Sequence, residues 1–263
     1  VDAVKIIVTT GQKCGAAEEK RARAYAAELR CEFVGRAKKP LDALKKLHCA
    51  DVVVVADKNG VRAHDGGGEL FFHLSMAQLR LKNIQGGKAD NMVAAMSLTS
   101  GMTVLDCTLG MGTDAVVASF VSQKNVTAVE SSPLISLIVR EGMKFFRAED
   151  EKIAAALKKI TVVNADYAKF LKGLPDKSYD VVYLDPMFRR PIKESCHLLP
   201  LRELADMRPI APSSIKEAVR VARRRVVVKE INGSAEFWRL GIKNITGGKY
   251  SSVAYGVVEI EQK

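Results

Sequence analysis

The stretch Val104-Leu105-Asp106-Cys107-Thr108-Leu109-Gly110-Met111-Gly112-Thr113-Asp114-Ala115 decides how this chain is read. An apolar run ends in a carboxylate, passes a glycine turn and enters a helical segment, Asp114 to Val121. Glycines let backbone approach a ligand, and a helix N-terminus offers unpaired N–H groups. A ligand with a carboxylate and an adenosine fits such a turn, with Asp106 at the strand tip and Asp114 in the first helical turn. An ordinary βα turn with a capping aspartate carries the same letters. So does the dinucleotide pattern G-x-G-x-x-A at Gly110, Gly112 and Ala115. There, however, the strand runs almost straight into the first glycine. Here an acid and a three-residue loop intervene, which favours S-adenosylmethionine over a nicotinamide dinucleotide.

Downstream, strand and helix patterns alternate. Asn125–Glu130, Ile160–Asn164, Tyr179–Asp185, Arg225–Lys229 and Ser252–Ile260 read as strands. Ser132–Arg147, Tyr167–Leu171 and Ser213–Val221 read as helices. Alternation of this kind implies a mostly parallel sheet wrapped by helices, with the late strand free to pair antiparallel at one edge. Glu130 ends its strand 24 residues after Asp106. A carboxylate there can take both ribose hydroxyls. Asp166 follows the next strand, where methyltransferases commonly carry an acid facing the adenine amino group, and Tyr167 could line the ring. Asp166 equally suits the N-cap of the helix behind it.

Val181-Val182-Tyr183-Leu184-Asp185-Pro186-Met187-Phe188 separates the two cofactor readings. It is a buried strand ending in a motif that resembles the D/N-P-P-Y/F signature of methyltransferases acting on exocyclic amines of bases. Such an amine is a poor nucleophile, because its lone pair is delocalised into the ring. Asp185 and the Pro186 carbonyl could accept its hydrogens and steer the lone pair. Phe188 could stack on a base that has left its helix. Asp185, Pro186 and Phe188 are therefore the candidate catalytic residues.

The 263 residues are 48% hydrophobic, enough for a sizeable core, and the formal net charge is +11. The pI of about 9.4 favours a polyanionic partner. No apolar run approaches the roughly 20 residues of a membrane-spanning helix. The opening Val1–Val8 segment reads as a buried strand, not a signal peptide. Five scattered cysteines form no CxxC pair, so neither a disulfide framework nor a metal site is expected, and a reducing cytoplasm fits. Arg189, Arg190 and Lys193 follow the catalytic motif and are the candidate RNA-binding residues.

Before this core, residues 1–64 alternate short β-rich runs (Ile6–Thr10, Glu32–Val34, Asp51–Ala56) with helical stretches (Ala16–Leu29, Leu41–Leu47). They read as a small N-terminal α/β domain, which permits RNA contact or a homodimer. A glycine cluster, Asp65-Gly66-Gly67-Gly68-Glu69, separates it from the catalytic domain, 65–263. Leu70–Ile84 then carries apolar residues at helical spacing, with His73 as a packed histidine, and Ala89–Leu98 reads as a second helix.

The chain resembles the ribosomal small subunit methyltransferase J family, which methylates a guanine N2 of 16S ribosomal RNA. The resemblance rests on Gly66-Gly67-Gly68-Glu69, Asp106 to Ala115, Val129-Glu130-Ser131, Tyr183 to Phe188 and Arg224-Arg225-Val226-Val227-Val228-Lys229. It implies a Rossmann-like class I methyltransferase fold: a mostly parallel seven-stranded sheet with an antiparallel edge strand. It implies S-adenosyl-L-methionine as cofactor and small-subunit ribosomal RNA as partner. It also implies cofactor contacts from Thr113, Asp114, Glu130, Ser131, Asp166, Tyr167 and Asp185, beside the turn residues Asp106, Gly110 and Gly112. Thr113 stands where that family usually carries arginine. Adenine N6 as target, a nicotinamide-dependent oxidoreductase and a non-catalytic RNA-binding protein are the competing readings.

Overall fold

The computed structural model describes residues 4–186, 206, 208–248 and 251–261. Phe188, Arg189, Arg190 and Lys193 lie outside the described residues. The chain packs as two compact units. The first opens with β1 (Ile6–Thr10), α1 (Ala16–Glu28), β2 (Glu32–Phe33), α2 (Leu41–Leu47), β3 (Val52–Asp57), β4 (Gly60–His64) and β5 (Glu69–Phe71). Its sheet runs β2-β1-β3-β4-β5. β1 is parallel to β2 and β3, and β4 and β5 continue antiparallel. Ile7, Val53 and Val55 meet Val34 and Leu44 in its core.

The segment after the glycine cluster departs from the sequence expectation. Leu70, Phe72 and Leu74 are buried while Phe71 and His73 are exposed. That period of two belongs to a strand, so Leu70 and Phe71 extend the sheet as β5. The helix α3 (Ser75–Gln85) begins only afterwards. His73 is accordingly exposed, its ring edge-on to Phe71.

The second unit continues with α3, α4 (Asn91–Met96), β6 (Val104–Asp106), α5 (Thr113–Ser122) and β7 (Val126–Glu130). Then α6 (Pro133–Phe145) returns to the first unit, where it packs on β4 and β5. There its Glu141 accepts a hydrogen bond from the Tyr25 hydroxyl at 3.1 Å. The second unit resumes with α7 (Glu151–Lys158), β8 (Ile160–Asn164), α8 (Tyr167–Lys172) and β9 (Tyr179–Leu184). It ends with α9 (Pro212–Val221), β10 (Ala222–Ile231), α10 (Glu236–Arg239), β11 (Asn244–Thr246) and β12 (Val253–Glu259).

Among the described residues the second sheet has seven strands in the order β11-β12-β10-β9-β6-β7-β8. β10, β9, β6, β7 and β8 are parallel neighbours. The late strand β12 runs antiparallel, as its sequence allowed, and β11 closes the edge outside it. Val181, Val182, Tyr183 and Leu184 on the central β9 are at most 1% exposed. Each such aliphatic side chain stabilises the fold by about 1.5–3 kcal/mol. α5 is buried nearly all round, because β6 and β7 lie on one side and α3 and α7 on others. From β6 the chain steps to β7 and β8 on one side, while β9 and β10 build the other side. Ligands of such sheets bind outside the carboxyl ends of the strands where the order reverses. No helix among the described residues is long and apolar enough to cross a membrane.

Candidate active site

The carboxyl ends of β6, β7 and β9 bring together Asp106, Glu130 and Asp185. Asp106 pairs across the sheet with Ala128 and Tyr183, so Glu130 and Asp185 each stand two residues further along their own strands. The turn after β6 is pinned at several points. Cys107 N–H donates to the Tyr183 carbonyl at 2.9 Å, Leu109 N–H to the Val129 carbonyl at 2.9 Å, and Gly112 N–H to the Leu109 carbonyl at 2.8 Å. Gly110 (φ +50°) and Gly112 (φ +81°) take left-handed conformations that favour glycine. Among the described residues a Cβ on Gly110 would meet nothing within 4 Å, so open space lies beside it.

Asp106 is 2% exposed. One carboxylate oxygen accepts from Thr108 N–H at 2.9 Å, and the other, Oδ2, is buried without a partner among the described residues. Burial pushes its pKa up to about 8, against the pull of the Thr108 N–H, with Asp114, Asp185 and Glu130 adding to the rise. Glu130 is held from three sides: Gly110 N–H at 3.0 Å, Ser132 N–H at 2.8 Å and the Ser131 hydroxyl at 3.4 Å. Burial raises its pKa, and the Ser132 and Gly110 N–H groups oppose the rise.

Thr108 was not singled out by sequence reasoning, yet it joins two of the acids. Its N–H reaches Asp106, and its hydroxyl accepts from Asp185 N–H at 2.6 Å. Lys229 and Arg80 were missed as well. The Lys229 ammonium is 2.7 Å from Asp185 Oδ2 and 3.2 Å from Asp114 Oδ2. Asp114 is thus drawn into an ion network, which also includes Arg80 and the Tyr183 hydroxyl at 2.7 Å. Burial works against ionising Asp114, but the charges of Lys229 and Arg80 hold it well below the usual carboxylate range. Lys229 was legible as a cation ending an all-valine run, the usual mark of a matched buried charge.

Asp166 caps α8 through Lys169 N–H at 3.0 Å and is paired with Arg208 at 2.6 Å. The Arg208 bond lowers its pKa. Tyr167 is half-buried at the start of α8, packed against the second unit's core. Thr113 opens α5.

A buried carboxylate oxygen with no partner, a second braced carboxylate and open space beside a left-handed glycine suit a ligand with an ammonium group and vicinal hydroxyls. The family described as "Putative SAM-dependent methyltransferase" matches residues 60–239. This chain belongs to the SAM-dependent methyltransferases. Its methyl donor is S-adenosylmethionine.

The methyltransferase is 36% identical to the uncharacterized protein YpiP of Bacillus subtilis (strain 168) over 255 residues, 96% of this chain and 99% of that protein. It is 34% identical over 152 residues to ribosomal RNA small subunit methyltransferase J of Coxiella burnetii, covering 55% of this chain and 57% of that relative. The chain thus spans a little over half of that relative's length. A crystal structure of the SAM-dependent methyltransferase NGO1261 from Neisseria gonorrhoeae superposes with a TM-score of 0.62 at 18% identity. It covers 96% of this chain and 95% of the other, and so shares the fold.

Proposed function

We propose that this methyltransferase acts on an exocyclic base amine, guanine N2, in small-subunit ribosomal RNA. The observation that carries the reading is Asp185. This carboxylate stands at the carboxyl end of the central strand, is held by Thr108 and Lys229, and is followed directly by Pro186. The net charge of +11 supports a polyanionic partner. So does the likeness to ribosomal RNA small subunit methyltransferase J, whose name states its target.

S-adenosylmethionine supplies an electrophilic methyl group carried on a sulfonium. The unpartnered oxygen of Asp106 is assigned to the ammonium of its amino-acid part, and Glu130, beside Ser131, to the ribose hydroxyls. The glycine turn of Gly110 and Gly112, with Thr113 at the start of α5, flanks the amino-acid part. Asp166 and Tyr167 are assigned to the adenine. Asp185 and the Pro186 carbonyl accept the two amine hydrogens and turn the nitrogen lone pair out of the ring plane. Much of the rate then comes from orientation. With the donor bound, the nitrogen would take the methyl group and the S–C electron pair would stay on sulfur. The surplus amine proton passes to the Asp185 carboxylate and then to water. In sequence, Phe188 follows as a stacking group, and Arg189, Arg190 and Lys193 as phosphate contacts.

The test is nucleoside mass spectrometry of 16S ribosomal RNA from a strain lacking the gene. One guanine N2 methyl group should be missing, and purified protein with S-adenosylmethionine should restore it to isolated 30S subunits. A full complement of N2-methylguanine in that strain overturns the substrate. A missing N6-methyladenine instead would move the target to adenine.

A further inference from the structure

Lys229 stands on β10 after Val226, Val227 and Val228, which are at most 1% exposed. A lysine so placed is costly unless its ammonium is matched. It is matched twice, and unequally. The contact to Asp185 is 2.7 Å and the contact to Asp114 is 3.2 Å. Asp114 is in turn held by the Tyr183 hydroxyl and by Arg80. The Arg80 guanidinium makes two further bonds, of 2.7 and 2.9 Å, to Asp90, the N-cap of α4. The result is a string alternating in sign: Asp90, Arg80, Asp114, Lys229, Asp185. Pairing with Asp114 alone would satisfy a purely structural lysine. The shorter contact goes instead to the carboxylate at the strand tip.

We infer that Lys229 is a positioning residue for methyl transfer: anchored from behind by Asp114, it fixes the Asp185 carboxylate in place and keeps it ionised. The inference rests on the reading that Asp185 faces the amine. A protonated Asp185 would donate a hydrogen where the reaction needs an acceptor. Burial pushes Asp185 up to about 7 even though Lys229 pulls it down, and the Asp114 charge adds to the push. The groups around it are Asp106 on β6, Asp114 on α5, Tyr183 on β9, Lys229 on β10 and, one step further, Tyr255 on β12. Of these only Lys229 is a cation. Among the described residues, the cation that opposes this push at neutral pH is the Lys229 ammonium.

The experiment measures kcat and KM from pH 5.5 to 9.5, with S-adenosylmethionine and 30S subunits from a strain lacking the gene. It compares wild type, Lys229→Gln, Lys229→Arg, Asp114→Asn and Asp185→Ala. In parallel, the Asp185 carboxyl is titrated by ¹³C NMR, a readout that needs no RNA. An opposite charge at this distance shifts a carboxylate by about one unit or more. A one-unit rise takes the ionised fraction at pH 7 from about one half to about one eleventh, so Lys229→Gln should lose about fivefold in kcat there. That loss should vanish above the shifted midpoint, leave the KM for S-adenosylmethionine unchanged, and be largely rescued by Lys229→Arg. Asp114→Asn should move the acid limb the opposite way, to lower pH, since it removes a negative neighbour and frees Lys229 for Asp185. It also serves if Lys229→Gln does not fold.

An unmoved acid limb and an unmoved Asp185 resonance in either variant would overturn the role of Lys229. Full activity of Asp185→Ala would overturn the reading of Asp185 itself. The NMR titration separates the two failures.

Discussion

The backbone N–H of Gly110 donates to Glu130 Oε2 at 3.0 Å, so the residue that ends β7 braces the turn that leaves β6. Glu130→Ala would remove the acceptor of that bond and of the 2.8 Å bond from Ser132 N–H. Leaving such donors unmatched costs about 1–3 kcal/mol. Affinity for S-adenosylmethionine should fall at least about tenfold, because the turn and the assigned ribose contact are lost together. Calorimetry and denaturant unfolding read the two effects, and wild-type affinity in the variant would refute the brace.

Gly110→Ala separates conformation from space. The positive φ should cost about 1 kcal/mol of stability. The added methyl meets nothing within 4 Å among the described residues. Any further loss must fall on the ligand, so cofactor affinity should drop by more than stability does. Equal losses would place the ligand elsewhere.

Asp106 makes a signed prediction about pH. Its folded pKa of about 8 lies above the ordinary value for an aspartate in an unfolded chain, about 3.9. Between those values the folded state holds a proton that the unfolded chain has lost. Without cofactor, stability therefore falls as pH rises from about 4 to about 8, by up to about 1.4 kcal/mol per pH unit from this group. Asp106→Asn should flatten that slope. An ammonium bound at the carboxylate should also release the proton at pH 7, visible as a buffer-dependent binding enthalpy in wild type and absent in the variant. Matching slopes in the two proteins would contradict the assignment.

Gly142 on α6 leaves no room for a Cβ beside the Phe72 Cβ. Gly142→Ala should destabilise the first unit by about 1–3 kcal/mol through overpacking. Phe72→Ala in the same chain should relieve part of it. A double-mutant cycle in denaturant checks this, and strict additivity would show that the two positions do not touch.

The catalytic sheet was legible where one pattern had one meaning. The apolar run of β9 ending in Asp185-Pro186 and the glycine turn after Asp106 both stand where their sequences put them. The helix expected over Leu70–Ile84 was half right, because Leu70, Leu74, Ala77 and Leu81 fit a helical period while Leu70, Phe72 and Leu74 also fit a strand. Only the pairing of Leu70 with Ala63 decides which applies locally. The β3–β4 hairpin went unread although the turn Lys58-Asn59, followed by Gly60, marks it. α7 was also readable, from its Asp150 cap and the buried Ile153, Ala156 and Leu157. Arg80 was not legible. A single arginine in a polar helix looks solvated, and its partner Asp114 lies 34 residues away in sequence. For Asp114, sequence gives its place on α5 but not the cations at its two oxygens.

The passage of α6 into the first unit has a consequence for how this protein is made. The helix that covers β4 and β5 is encoded after β6 and β7 of the other unit. During synthesis β4 and β5 must wait for the helix that covers them until α6 has left the ribosome. By then the second unit has only two of its strands, so neither half of the molecule can finish before the other has begun. Cutting the chain at the glycine cluster would yield two incomplete pieces. Chaperone demand should therefore be greatest while the stretch from β4 to α6 is emerging.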